Sequence, residues 1–518
     1  MKRQLLVWVS CCVSTATFAD APQEAAAKID AALMREYMVF QRQVRHPSDP
    51  RLPVLPPAAD DASFLRRACI DLAGRLPRAD EVRAFLASTA ASKRAALTDA
   101  LVKEGGAAEV RFRMLAEAFR VKDDDAVIAW LRQAAADDRP YDQIVTYLVG
   151  EGHLSRRDEG NALRTSTEVA LAVLGEDLHC AFCHDHPYND HTQMEAYQFA
   201  ACFTTDDVFD TLRLPTDYRY PDGKPGDLVK PRVLKLVREA PPPMKRGKNL
   251  RKQVARWITA DNTERLATVA GLRIWSGMFG MPETYVDHTV GGVDPALSWH
   301  DVHDKPILNT ISSNCFGAPN LRAADRNCIT WIDENFTQGS QQNAVTVLAA
   351  EFRRSGFRIG EFQRILARTE AYGRAGVSIG LAWSGSYLVP APQIRRLPAE
   401  VIWDTLCMEK SEQLAQVPPL EHPLRMLGRG TREWSDESTT PLSHELVRFM
   451  MNSAEMEDAV GAEPAGRTTE ELFMALLGRY PNGMEKAIAQ QHRNESPQTA
   501  VQDIAWALLN TKEFMFRP

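Results

Sequence analysis

The run His179-Cys180-Ala181-Phe182-Cys183-His184-Asp185-His186-Pro187-Tyr188-Asn189-Asp190-His191 gathers two thiols, four imidazoles and two carboxylates in one short stretch. Two cysteines three positions apart, with a histidine directly after the second, have the spacing that attaches haem c. The thiols reach both vinyl groups as thioethers, and the neighbouring imidazole reaches the iron. On this reading Cys180, Cys183 and His184 bind the cofactor, with His184 on the haem iron. Met194 follows soon after, but a ligand so near His184 does not easily swing to the opposite haem face, so a distal Met or His, or an open position, completes the iron. The same stretch suits a second chemistry. Zinc takes thiolate and imidazole ligands, and Cys180, Cys183, His186 and His191 make an alternative site that Asp185 and Asp190 could orient. A third reading leaves the cysteines as packing groups or a tight local disulfide. A thioredoxin-like redox pair wants a βαβ setting, and nothing strand-like flanks Cys180.

Other matches are weaker. Gly376-Val377-Ser378-Ile379-Gly380 has the Gly-x-Ser-x-Gly pattern of a hydrolase elbow, which needs a strand before it, whereas a helical pattern ending near Tyr372 precedes it here. His300 and His303 stand three apart with Asp301 and Asp304 beside them, yet no helical period fixes their geometry, so they read as solvated loop residues. Arg395, Arg396, Glu400 and Asp404 read as structural, Glu400 and Asp404 sharing one helical face and forming ion pairs between helices. The alternative is an anion site made by the two arginines.

The elements that must carry these residues are helices. In 79–86 the acids Asp80 and Glu81 fall in the first turn, and Val82, Phe85 and Leu86 recur at helical spacing; Val145, Leu148 and Val149 repeat that period in 142–149. A helix from Thr167 to Leu178 is expected to deliver Cys180 at its end. Helices are also expected over 251–258, 263–279 and 344–370, and to dominate to the end of the chain. Residues 213–250 lack helical period and contain Pro241-Pro242-Pro243, so they read as a linker or extended arm. Residues 287–343 are rich in Asp, Asn, Gly and Pro and read as a long irregular excursion. The expected fold is mainly α: a helical domain over 20–212 with the Cys-x-x-Cys-His block, the Pro-rich linker, and a second helical domain over 251–518.

The start of the chain sets the compartment. Lys2 and Arg3, the apolar run from Leu5 to Val13 and the small residues Thr17 and Ala19 have the layout of a secretory signal peptide over 1–19, cleaved after Ala19. That run is too short for a membrane span, which takes about 20 apolar residues, and no later stretch is long and apolar enough. Of nine cysteines, Cys11 and Cys12 leave with the signal. The remaining seven are too few for a disulfide-stapled scaffold, although an oxidising compartment permits a pair between Cys315 and Cys328. With 61 basic and 68 acidic residues, a net charge of −7 and no basic patch, nucleic acid is not an expected partner.

Several blocks in order resemble a known family: Phe64-Leu65-Arg66-Arg67 with Asp71 to Pro77, Cys180 to Tyr188, Arg273-Ile274-Trp275 with Phe279-Gly280, Phe362 to Tyr372, Arg395 to Glu400 with Trp403-Asp404, and Trp506 to Asn510 with Glu513-Phe514. The chain is similar to exported planctomycete-type cytochrome-c-like proteins, in which a domain of unknown function carrying Cys-x-x-Cys-His precedes a second one. The further cytochrome domain that members often carry would need a second Cys-x-x-Cys-His, which this chain lacks. The expected function is an exported haem c protein of the periplasm or cell surface that passes electrons to an envelope partner or senses redox state. The alternative is a zinc-binding, non-redox scaffold for a protein or polysaccharide.

Overall fold

In a computed structural model of the chain, the described residues are 21–44, 55–121, 125–154, 161–176, 178–186, 191–204, 212–235, 244, 249–261, 263–280, 344–377, 390–406, 419, 421–430, 444–464 and 466–518. They are mainly helical, as expected. The 1–19 segment, Cys315 with Cys328, His300 with His303, and Ser378 lie outside them.

The helix Asp61–Ala73 shows how local signals and packing combine. Asp60 caps its start by accepting from the Ser63 amide at 2.7 Å, and Gly74 ends it in the left-handed region at φ 66°. From Phe64 to Ala73 every residue is buried. Its apolar side chains divide: Phe64, Leu65 and Leu72 join one core, and Ile70 joins a second. Its charged side chains are buried too, and each has a named partner. Arg66 donates to the carbonyls of Leu476 (2.6 Å) and Phe514 (2.9 Å), and Arg67 to those of Arg374 (2.9 Å) and Pro518 (2.7 Å). Asp71 accepts from Arg517 and from the Tyr372 hydroxyl. Burial, with Asp71 alongside, holds the Tyr372 phenol well above the usual range.

The first core draws on residues from Ala25 to Tyr372, on both sides of 213–250, and on Met474. The second collects the helices between Leu397 and Met515. A two-residue antiparallel pairing, Arg395 with Arg517 and Arg396 with Phe516, ties the start of the second core to the end of the chain. The described residues 212–235 contain turns and a bridge, Arg213 to Leu228, and no helix. Their Leu214, Tyr218 and Val229 pack on Tyr197 and Ala201 of the helical part.

Sequence periodicity placed most helices well: Ala79–Ala87, Tyr141–Gly150 and Thr263–Phe279 all form. The pattern over 344–370 is two helices, Ala344–Arg354 and Ile359–Ala367, broken where Gly356 (φ 71°) and Phe357 (φ 58°) enter the left-handed region. Close approach explains one glycine. A Cβ at Gly106 would stand 2.2 Å from the Ala73 carbonyl oxygen, where the helices Asp61–Ala73 and Gly105–Ala118 cross. Gly106→Ala should therefore destabilise the fold by about 2 kcal/mol or more, because backbone and not a movable side chain is in the way. Urea unfolding of the variant beside the parent checks this.

In the Arg395–Asp404 group the two arginines bind main-chain carbonyls, while Glu400 forms the kind of buried ion pair expected. Arg395 donates to the carbonyls of Ser276 (2.8 Å) and Gly277 (3.1 Å), closing the end of Thr263–Phe279, and Arg396 donates to Leu427. Glu400 forms its buried ion pair with Arg429, and Arg113 of the first core stands 3.9 Å away. The structural reading of these residues fits that geometry.

Candidate functional site

The chain approaches Cys180 through a helix that ends sooner than the pattern promised. Ala162–Val169 continues as one wide turn, Ala170–Leu174, and stops at Gly175, which takes the left-handed conformation at φ 66°. The expected end at Leu178 is thus corrected to Gly175, since only glycine enters that region without strain. Past Glu176 a separate short turn, Cys180–Phe182, begins. The amides of Cys183 and His184 both donate to the Cys180 carbonyl at 3.2 Å. Cys180, Cys183 and His184 therefore lie on one tight turn of backbone.

Cys180 is half-buried and Cys183 is exposed. Cys183 is unbridged, so the local disulfide reading does not describe this conformation. The half-buried His184 has its Nδ1 2.7 Å from the Asp185 carbonyl oxygen. A carbonyl only accepts, so Nδ1 donates, and the lone pair of the neutral ring lies on Nε2, away from the backbone. Metal-bound histidines are commonly held in this way.

The residues of the alternative zinc set have surroundings of their own. His191 is buried between two carboxylates, Nδ1 lying 3.2 Å from Glu195 and Nε2 3.2 Å from Glu176. Both ring nitrogens are committed there. Glu176, itself 2 % exposed, also takes an ion pair from Arg265, whose Nε donates to the Leu174 carbonyl at 2.8 Å. Among the described residues no group of three or more Cys, His, Asp or Glu side chains converges as a metal cage. His186 is half-buried, and Asp190 lies outside the described residues.

Met194 packs into the small cluster with Leu214 and Tyr218, its methyl close to Gly223. Beside it, Phe182 and Tyr197 meet edge to face with centroids 6.0 Å apart. Burial pushes the Tyr197 phenol up, with Cys183 and Asp217 adding to the shift; Tyr218 is pushed up by burial and by donating its hydroxyl to Asp222. Residues 212–235 add Leu214 and Tyr218 to this aromatic flank, a packing role that composition and periodicity did not indicate.

Glu176 and Gln193 are the site residues that sequence reasoning missed. Gln193 is 2 % exposed; its side-chain amide donates to the Phe182 carbonyl at 2.8 Å, and its backbone amide donates to Asp185 Oδ1 at 2.9 Å. The only sequence signals were positional: Glu176 directly after a helix-ending glycine, and Gln193 directly after the capping Thr192.

Comparison with known proteins adds a family and little chemistry. No curated protein and no solved structure matches the chain. Residues 51–166, which hold the Asp61–Ala73 helix and end before Cys180, match the family described as PSCyt2, protein of unknown function (DUF1549).

Proposed function

We propose that this chain is an exported haem c-binding protein, with haem joined to Cys180 and Cys183 and His184 on the iron, serving electron transfer or redox sensing at the cell envelope. One observation supports the reading: the Cys183 and His184 amides both donate to the Cys180 carbonyl, so the three residues share one tight backbone turn, and the Asp185 carbonyl takes the His184 Nδ1–H, which leaves Nε2 as the acceptor of the neutral ring. In attachment each thiol adds across one vinyl group, its sulfur bonding one carbon and its hydrogen going to the other, so no oxidant is required. When bound, the haem supplies reversible one-electron chemistry, with its potential set by axial ligation and burial.

The chain's own residues supply ligation and shelter. Phe182, Tyr197, Met194 and Tyr218 offer an apolar, aromatic flank on one side of the turn, while Cys183 stays at the surface where an electron partner can approach. The signal-like start supports the compartment: export puts the cysteines where haem c is attached. Among the described residues no helix is long and apolar enough to cross a membrane.

The test is optical. Protein purified from a host with working haem c attachment is expected to be red, with a Soret band. A colourless protein carrying one equivalent of zinc would transfer the assignment to the zinc-binding scaffold.

A further inference from the structure

The Cys180–Phe182 turn is short, with no helix continuing on either side. A lone turn fixes several residues for very few hydrogen bonds and is unstable by itself in water. Its order must come from outside. Among the described residues these bonds contribute: the His186 amide donates to the His191 carbonyl (2.9 Å), the Asp185 amide to the Tyr220 hydroxyl (2.8 Å), and Gln193 makes the two already described. Gln193 holds both flanks. Its side chain takes the Phe182 carbonyl, just before Cys183, at the end of a turn where carbonyls lack a partner within the helix. Its backbone amide takes the Asp185 carboxylate, just after His184, and that acid in turn suits the start of the helix Gln193–Ala200. Cys183 and His184 are bracketed between them.

Resting on the haem reading, we infer that Gln193 is the positioning residue of the Cys-x-x-Cys-His turn, setting Cys180, Cys183 and His184 on one tight turn before any haem is attached. The linked set of Glu176, Arg265, His191 and Glu195, the first three of them buried, is the floor on which it works. It joins the chain entering the turn at Glu176 to the chain leaving it at His191, and so closes the loop whose far side Gln193 ties to Phe182. The amide matters as a donor. A carboxylate of the same shape would set an oxygen against the Phe182 carbonyl oxygen, and a thioether would fill the space without donating.

The test compares the full chain with Gln193→Glu and Gln193→Met. In haem-free protein, hydrogen exchange of the peptide spanning 178–186 should quicken about tenfold in both variants, the equivalent of one lost buried bond, while exchange in Asp61–Ala73 stays as in the parent. In protein from a host with haem c attachment, both variants should carry less haem, and what they carry should show a shifted reduction potential. Unchanged exchange at 178–186, or an equal rise in Asp61–Ala73 in both variants, would overturn the inference, as would normal haem content with an unshifted potential. A parent chain that takes no haem, together with the local exchange effect, would defeat the haem reading and leave Gln193 as the residue that orders the turn.

Discussion

Changing Cys180 to Ser or Cys183 to Ser should each remove one thioether, and changing both should abolish covalent haem altogether. A haem-stained denaturing gel of the three variants beside the parent reads this directly. The geometry makes the two single changes unequal. Cys183 is exposed at the rim of the turn, while Cys180 is half-buried where the chain enters it, so a haem tethered only through Cys180 keeps the more enclosed of the two attachments. His184→Ala should leave the stain, because neither thioether depends on the imidazole, but should shift the Soret band and the reduction potential through loss of an axial ligand. His191→Ala should leave the stain too. Its ring nitrogens face Glu176 and Glu195, not the thiols, so its loss removes a buried ion-pair partner and is felt as stability. Loss of the stain in His191→Ala with the fold intact would show that haem attachment depends on His191 and not on the thiols and His184 alone.

The second large effect lies far from the turn. Burial alone would raise the Glu400 carboxyl, but Arg429 and Arg113 outweigh it and hold the group down to about 2, against an ordinary 4.5. A carboxyl depressed in the folded state adds stability that is fully present above its unfolded value and is lost as pH falls through the folded one. The contribution should therefore stand whole above about pH 4.5, fade between there and about 2, and amount to about 3 kcal/mol at neutral pH. Glu400→Gln leaves Arg429 buried without its carboxylate and should destabilise by about 3–5 kcal/mol at neutral pH. The parent and the variant should converge in stability as the pH approaches 2. Thermal melts across pH 2–7 check both size and sign; a gap that stays constant down to pH 2 would show that Glu400 carries no such pairing.

The helices were legible because burial imposes a 3.6-residue period on apolar residues, and Val82, Phe85, Val145 and Leu148 carry it openly. Their ends were less so. The break at Gly356-Phe357 depends on Phe357 taking a positive φ, which no propensity signals, and the early stop at Gly175 was hidden by Glu176 to Leu178 continuing a plausible pattern. Within the site, the spacing of Cys180, Cys183 and His184 could be read because one turn makes i, i+3 and i+4 neighbours. The role of His191 could not. Imidazole beside cysteine reads as a ligand, and its i+4 relation to Glu195 was the one local hint of an ion pair, while Glu176 and Arg265 reach it only through the fold. Gln193 was invisible for the same reason, being an ordinary residue whose partners, Phe182 and Asp185, are set by how the loop closes. Arg66 and Arg67 lie in one of the blocks that carry the resemblance, and their use is structural: Arg66 binds the carbonyls of Leu476 and Phe514 in the second core, and Arg67 that of Tyr372 in the first.

Intact mass of the mature protein, purified from a host with working haem c attachment, tests the central claim most directly. Addition of both thiols across vinyl groups loses no atoms, so the expected mass is that of the chain beginning after Ala19 plus one whole haem, surviving denaturation and falling to the bare chain in the double Cys180→Ser, Cys183→Ser variant. An unmodified mass for the parent protein from such a host would contradict haem attachment at Cys180 and Cys183.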